Sequence, residues 1–165
     1  MAGKPHLDAA PAPPPSPKIT EIEALVRRYY GLFNARRFEE AARMVDPQAV
    51  FAYPVAKERL IGRAGYRELA SRWVEGFPDG RIDITTVLVP DDSTAVTEWI
   101  AEGTHTGALD LPGFPVLPAT GRHARLPMRE FVTIADRRIV ACRLEFDPDE
   151  MLRRLGLSGS AGPSR

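Results

Sequence analysis

Glu130 lies in the stretch "RLPMREFVTIA", where strand alternation puts it on one face with Met128, Val132 and Ile134. A carboxylate among apolar neighbours is costly to bury, so it must be paired, neutral, or open to a wet pocket. His105 ends the stretch "TEWIAEGTHTG", on the face that carries Trp99, Ala101 and Gly103. A carboxyl and an imidazole on the concave face of one sheet form the pattern of a general acid–base site. The same residues allow plainer readings. Glu130 can stand at a sheet edge or pair with one of the many arginines, and a histidine between glycines can hold a turn by hydrogen bonding. Trp99 and Met128 read as core first and pocket lining second, and Cys142 reads as an inert buried thiol. A metal would need His105, Glu130 and His123 together, but His123 falls on the strand face opposite Glu130, so no metal is expected.

The elements that must position these residues follow from periodicity. "TEIEALVRRYYGLFNA" repeats its apolar residues at helical spacing, with Thr20 and Glu23 spaced as a capping box and Asn34 as the stop. "RFEEAARMV" predicts a short second helix that ends before Asp46-Pro47, and "AVFAYPV" a short strand closed by Pro54. "GRAGYRELASRWVEGF" predicts a third helix. The period then changes to two, giving four strands in "RIDITTVLV", "TAVTEWIAEGTHTG", "RHARLPMREFVTIA" and "RIVACRLEFD". In the last, Val140, Cys142, Leu144 and Phe146 form the apolar set. Asp136-Arg137 should make the tight hairpin between the last two strands without the usual glycine. "DPDEMLRRLGL" predicts a final helix that starts at Asp147 or Asp149 and stops at Gly156. Helices followed by an antiparallel meander predict an α+β fold, with the helices on one face of a curved sheet.

Composition bounds the rest. A formal net charge of +0 provides no excess positive field for nucleic acid or an anionic membrane. The single cysteine, Cys142, rules out an intrachain disulfide and a cysteine-based metal cluster, and a reducing cytoplasm is the expected setting. The start, "MAGKPHLDAAPAPPPSPK", has no apolar core of a signal peptide. Residues 1–17 are expected to be a Pro/Ala-rich disordered tail, 18–157 one domain, and 158–165 a second flexible tail. No Gly-rich phosphate loop and no nucleophile elbow occurs.

"TEWIAEGTHTG", "LPATGR", "DRRIV" and "FD…MLRRLGL", in that order over residues 20 to 157, resemble the SnoaL-like polyketide cyclases of the nuclear-transport-factor-two-like superfamily. The resemblance implies a cone-shaped α+β fold, a pocket between helices and sheet, and acid–base catalysis without a cofactor. In that family a carboxylate on the strand before the last hairpin works near the "GTHTG" histidine, which implies Glu130 and His105 here. The family usually has Asp at this carboxylate. Arg137 replaces a common turn glycine, and Glu145 a common aromatic. Limonene-type epoxide hydrolases of similar fold use an Arg and two Asp residues where this chain has Trp99, Ala101 and Leu144, which argues against that reaction.

The resulting expectation is a cofactor-free enzyme, cyclase-like or isomerase-like, acting on a hydrophobic carbonyl-bearing small molecule. Trp99, Met128, Tyr53, Phe114, Leu117 and Leu144 would line its pocket, and the apolar loop of Leu109, Leu111, Phe114, Val116 and Leu117 would lie across the opening as a lid. The rivals are a non-catalytic binding module of the same fold and an interaction scaffold using the outer sheet face. Ile100 and Phe131, apolar on that outer face, suggest a homodimer.

Overall fold

A computed structural model describes residues 12–157. Of the expected tail at 1–17, residues 1–11 lie outside the described residues, as does the whole of the expected tail at 158–165, while Pro17 belongs to the first helix. Helix α1 covers Pro17–Asn34 and starts four residues earlier than the capping-box spacing suggests. Ser16, not Thr20, is its N-cap: the Ser16 side chain accepts from the Ile19 N–H at 3.3 Å. Pro17 fits the first turn, where a missing N–H costs nothing. Asn34 ends the helix and pins it to the sheet. Its side-chain amide donates to the Ile82 carbonyl at 2.7 Å, and its carbonyl oxygen accepts from the Ile82 N–H at 2.7 Å.

The second helix, α2, is Phe38–Arg43, and strand β1 follows at Val45–Ala52. The strand therefore runs through Asp46-Pro47, which the sequence suggested as a break. The proline is tolerated because the β1 register is irregular between Val45 and Val50, so no ladder bond is required of it. A two-residue strand, β2 (Leu60–Ile61), and helix α3 (Gly62–Gly76) come next. Strands β3 (Arg81–Leu88), β4 (Thr94–Thr104), β5 (His123–Ala135) and β6 (Arg138–Glu145) then form the meander, and α4 (Pro148–Leu155) closes the fold. Asp147 caps α4 through bonds from the Asp149 and Glu150 N–H groups at 2.9 and 3.2 Å, and Gly156 ends it with φ 74°.

The sheet order is β2-β1-β6-β5-β4-β3, antiparallel except for β1 against β6. Asp136 and Arg137 both take left-handed φ values, 49° and 61°, as a two-residue hairpin of this hand requires. One face assignment needs correction. The β5–β6 register pairs Thr133 with Ala141 and Ile134 with Ile139, so Val140 is the extra residue of a bulge. Ile139 takes the core position expected of Val140 and is fully buried. Helices α1 and α3 pack on the inner face of the sheet with Val26, Tyr29, Tyr30, Tyr66 and Leu69 buried against it. On the outer face, Phe131 is covered by the Arg143 guanidinium at 4.1 Å from the ring centre. None of the described helices is long and apolar enough to cross a membrane.

Candidate functional site

Between α1, α3 and the inner sheet face lies a cavity of about 100 Å³. Its wall is rich in aromatic residues, with Tyr29, Tyr30, Tyr53, Tyr66, Trp73 and Trp99 among the lining residues. Glu130, Cys142 and Leu144 line it from the sheet. The lining residue that is exposed is Arg81, which stands opposite Glu102 in the β3–β4 pairing and marks the surface end.

Glu130 is half-buried and paired across the strands with Thr97 and Leu144. The Tyr30 hydroxyl donates to its Oε2 at 2.5 Å, and lies 2.8 Å from the Thr97 hydroxyl. Thr97 in turn donates to the Glu130 carbonyl at 3.3 Å. Burial raises the Glu130 pKa to about 7, while the bonds from Tyr30 and Cys142 oppose that rise. Burial, reinforced by the nearby carboxylate, pushes Tyr30 and Cys142 well above their ordinary values. Both therefore keep their protons and remain donors toward Glu130. The result is a carboxyl able to give or take a proton near neutral pH, facing apolar walls.

His105 is placed differently from the expectation. It lies eight residues beyond Thr97 in sequence, roughly 26 Å along an extended strand, and is not among the residues lining the cavity. It is 0% exposed. Its N–H donates to the Arg122 carbonyl at 2.8 Å, and its own carbonyl accepts from Thr120 and Gly121 at 3.1 and 2.8 Å. The ring Nδ1 lies 3.1 Å from the Thr120 hydroxyl, and the ring stacks on Phe77 with centroids 5.1 Å apart. Burial lowers its pKa, which favours the neutral ring. "GTHTG" and "PATGR" are thus two halves of one knot. Gly107 completes it: its N–H donates to Gly76 at 3.2 Å, and a side chain there would collide with the Glu75 carbonyl. The link from His105 to the cavity runs through Phe77, which lines it.

Of the six expected lining residues, Tyr53, Trp99 and Leu144 line this cavity. Met128, Phe114 and Leu117 do not. Met128 is buried opposite Trp99 in the β4–β5 pairing. Leu117 pairs with Leu109 through two 2.9 Å backbone bonds, and Phe114 stacks on Phe146 at 5.9 Å. The expected lid is a packed flap whose leucines Leu109, Leu111 and Leu117 belong to the core.

Sequence reasoning missed Tyr30, Thr97 and Tyr66. Thr97 could have been found as a polar residue on the same alternating face as Trp99. Tyr30 could have been found from its spacing after Val26. Tyr66 comes from another helix, and nothing in its own segment ties it to Glu130. Among the described residues, no three His, Cys, Asp or Glu side chains cluster so as to hold a metal ion.

A family model described as the SnoaL-like domain matches residues 26–142. No functionally curated protein matches the chain in sequence. Solved structures do. A protein from Jannaschia sp. CCS1, assigned to the SnoaL-like polyketide cyclases, is 19% identical, with a TM-score of 0.76 over 92% of this chain and 100% of its own. IdmH from Streptomyces antibioticus, assigned as a polyketide cyclase, is 25% identical, with a TM-score of 0.65 over 81% of this chain and 97% of its own. A protein of ketosteroid isomerase-like fold from Catenulispora acidiphila DSM 44928 is 13% identical, with a TM-score of 0.66 over 84% of this chain and 97% of its own.

Proposed function

The chain belongs to the family of SnoaL-like domains, and on that premise we propose that it is a cofactor-free acid–base enzyme acting on an apolar carbonyl compound. The observation that carries this reading is Glu130: a carboxyl with a pKa of about 7, opening on an aromatic cavity. An acid or base works best when its pKa lies near the working pH. In the proposed step, the ionised Glu130 takes a proton from the carbon beside the carbonyl. The C–H electron pair moves into an enolate. Glu130 then returns the proton to another carbon in an isomerisation, or to the new alkoxide after an aldol-type ring closure. Tyr30 and Cys142 hold the carboxylate by hydrogen bonds during the ionised phase. His105 is a positioning residue in this scheme, since it braces Phe77 in the cavity wall.

One observation favours a second reading. The Tyr30 hydroxyl already occupies Glu130 Oε2 at 2.5 Å, as it would in a binding module whose carboxyl only shapes the wall. Proton exchange separates the two. A panel of aryl alkyl ketones incubated in D₂O with an acid–base enzyme loses its α-protons to deuterium, read by proton NMR, and Glu130→Gln abolishes the exchange. Ketones that bind but exchange no faster than in buffer would establish the binding module instead.

A homodimer through the outer sheet face is part of the proposal, with Ile100 and Phe131 in the contact. Sedimentation showing only monomer at micromolar concentration would remove it.

A further inference from the structure

Among the described residues, three buried side-chain polar atoms have no hydrogen-bond partner: the Tyr66 hydroxyl, the Trp99 indole nitrogen and His105 Nε2. The first two belong to residues that line the cavity with Glu130. Tyr66 and Trp99 are 4% and 6% exposed, so bulk water does not serve them. A buried donor without an acceptor costs on the order of 1–3 kcal/mol, and folded proteins rarely leave one so. Elsewhere in the same wall the polar groups are paired: Trp73 donates its indole N–H to the Tyr53 hydroxyl at 2.7 Å, and Tyr30 serves Glu130 and Thr97.

Both residues lie near Glu130. Trp99 follows Thr97, the residue opposite Glu130, on the same face of β4. Tyr66, on α3, feels the charge of Glu130 and packs its ring near Phe51 and Tyr29, at 6.4 and 5.3 Å. Burial holds its hydroxyl protonated far above neutral pH. An indole N–H can only donate, and a hydroxyl can donate. The lining holds no buried cation, so an anionic ligand group would go unpaired inside.

We infer that Tyr66 and Trp99 are specificity-determining residues of this cavity, whose O–H and N–H groups receive acceptor oxygens of a neutral, otherwise apolar ligand. The inference rests on the cavity being the ligand site, but not on Glu130 performing chemistry. Without such donors an apolar cavity disfavours a carbonyl, because the oxygen must leave water unpaired. With them the preference reverses, as in any site built to bond a polar group of its ligand.

Acetophenone and α-methylstyrene provide the test, since they share a shape and differ in C=O against C=CH₂. Binding is measured at pH 9, where Glu130 is ionised and cannot donate. The protein is ¹⁵N-labelled at its two tryptophans, with their indole signals assigned through Trp73→Phe. The native protein should bind the ketone about tenfold more tightly than the alkene. The Trp99 indole proton should move downfield with the ketone only, while that of Trp73 stays. In Tyr66→Phe/Trp99→Phe the ratio of ketone to alkene affinity should shrink to about twofold or less, whichever way the two absolute affinities move. If that variant does not fold, the two native-protein readings decide. Equal affinities, or an alkene preference, with both probes perturbing the cavity would overturn the inference and leave the cavity as a binding site. A ketone preference with no movement at Trp99 would remove Trp99 and leave Tyr66. Perturbation by neither probe would overturn the inference together with the cavity reading.

Discussion

Glu130 lies on β5 and His105 just beyond the end of β4, and burial acts on both in the same sense: it favours the neutral form of each, raising the acid and lowering the base. Their surroundings then separate them. Glu130 opens on a cavity, and its bonds are to side chains from α1 and β6, which a ligand can face. His105 is enclosed by its own loop, bonded through its backbone to Thr120, Gly121 and Arg122 and stacked on Phe77. Two groups with the same strand-face signature can therefore differ in kind. Alternation reports which way a side chain points, but not how far along the strand the cavity reaches.

The largest expected effect tests the Glu130 side of this contrast. Glu130→Gln should lower turnover of any accepted ketone by between about 10² and 10⁴-fold, the usual contribution of a general acid or base. Ligand affinity, measured by calorimetry, should change little. Retained turnover would move Glu130 to the same class as His105.

Stability should respond in the opposite direction. The Glu130 pKa rises from 4.5 to about 7 on folding. Between those values the folded chain holds a proton that the unfolded chain has lost, so stability falls as pH rises through this window and levels off above pH 7. The shift corresponds to about 3 kcal/mol at pH 8. Glu130→Gln should recover about that amount at pH 8 and little at pH 4.5. Paired thermal melts at the two pH values measure it, and a variant less stable at pH 8 would contradict the sign.

On the other side of the contrast, His105→Ala removes a fully buried ring and its bond to Thr120. It should cost about 3 kcal/mol, lowering Tm by roughly 6–12 °C. The folded fraction should keep α-proton exchange within a fewfold of wild type. A catalytic collapse with an unchanged Tm would reverse the roles assigned to the two residues.

The smallest effect concerns Tyr66. Tyr66→Phe removes a buried hydroxyl with no protein partner, so the ligand-free protein should gain up to about 1 kcal/mol. A loss of that size would mean the hydroxyl has a structural partner.

Much of this fold is legible in the sequence because its signals are local. The period-two runs give the starts of β3 to β6 to within a residue, although β4 stops three residues short of its run, the Asp147 cap and Gly156 stop bound α4, and Asp136-Arg137 forms the hairpin. The start of α1 is missed because Ser16 and Thr20 both offer capping oxygens, and Pro17 decides between them. Strand β2 has two residues and no period to detect. The Val140 bulge shifts a face without changing residue types. The candidate site is legible only in part for a related reason. Glu130 announces itself as a charge on an apolar face, and Tyr53, Trp99 and Leu144 as apolar residues on inward-facing segments. Register, however, pairs Glu130 with Thr97 rather than His105, and register is a property of two strands together. Tyr30 and Tyr66 reach the site from helices whose packing is a tertiary matter.

The central claim is that burial beside an aromatic cavity poises one carboxyl near neutral pH. A ¹³C NMR titration of protein labelled at the glutamate side-chain carboxyl, with the Glu130 signal assigned by its absence in Glu130→Gln, measures this directly. The account predicts a Glu130 midpoint near 7, separated from those of Glu39 and Glu150, which their arginine partners hold below the ordinary glutamate value. A Glu130 midpoint at or below 4.5 would contradict it.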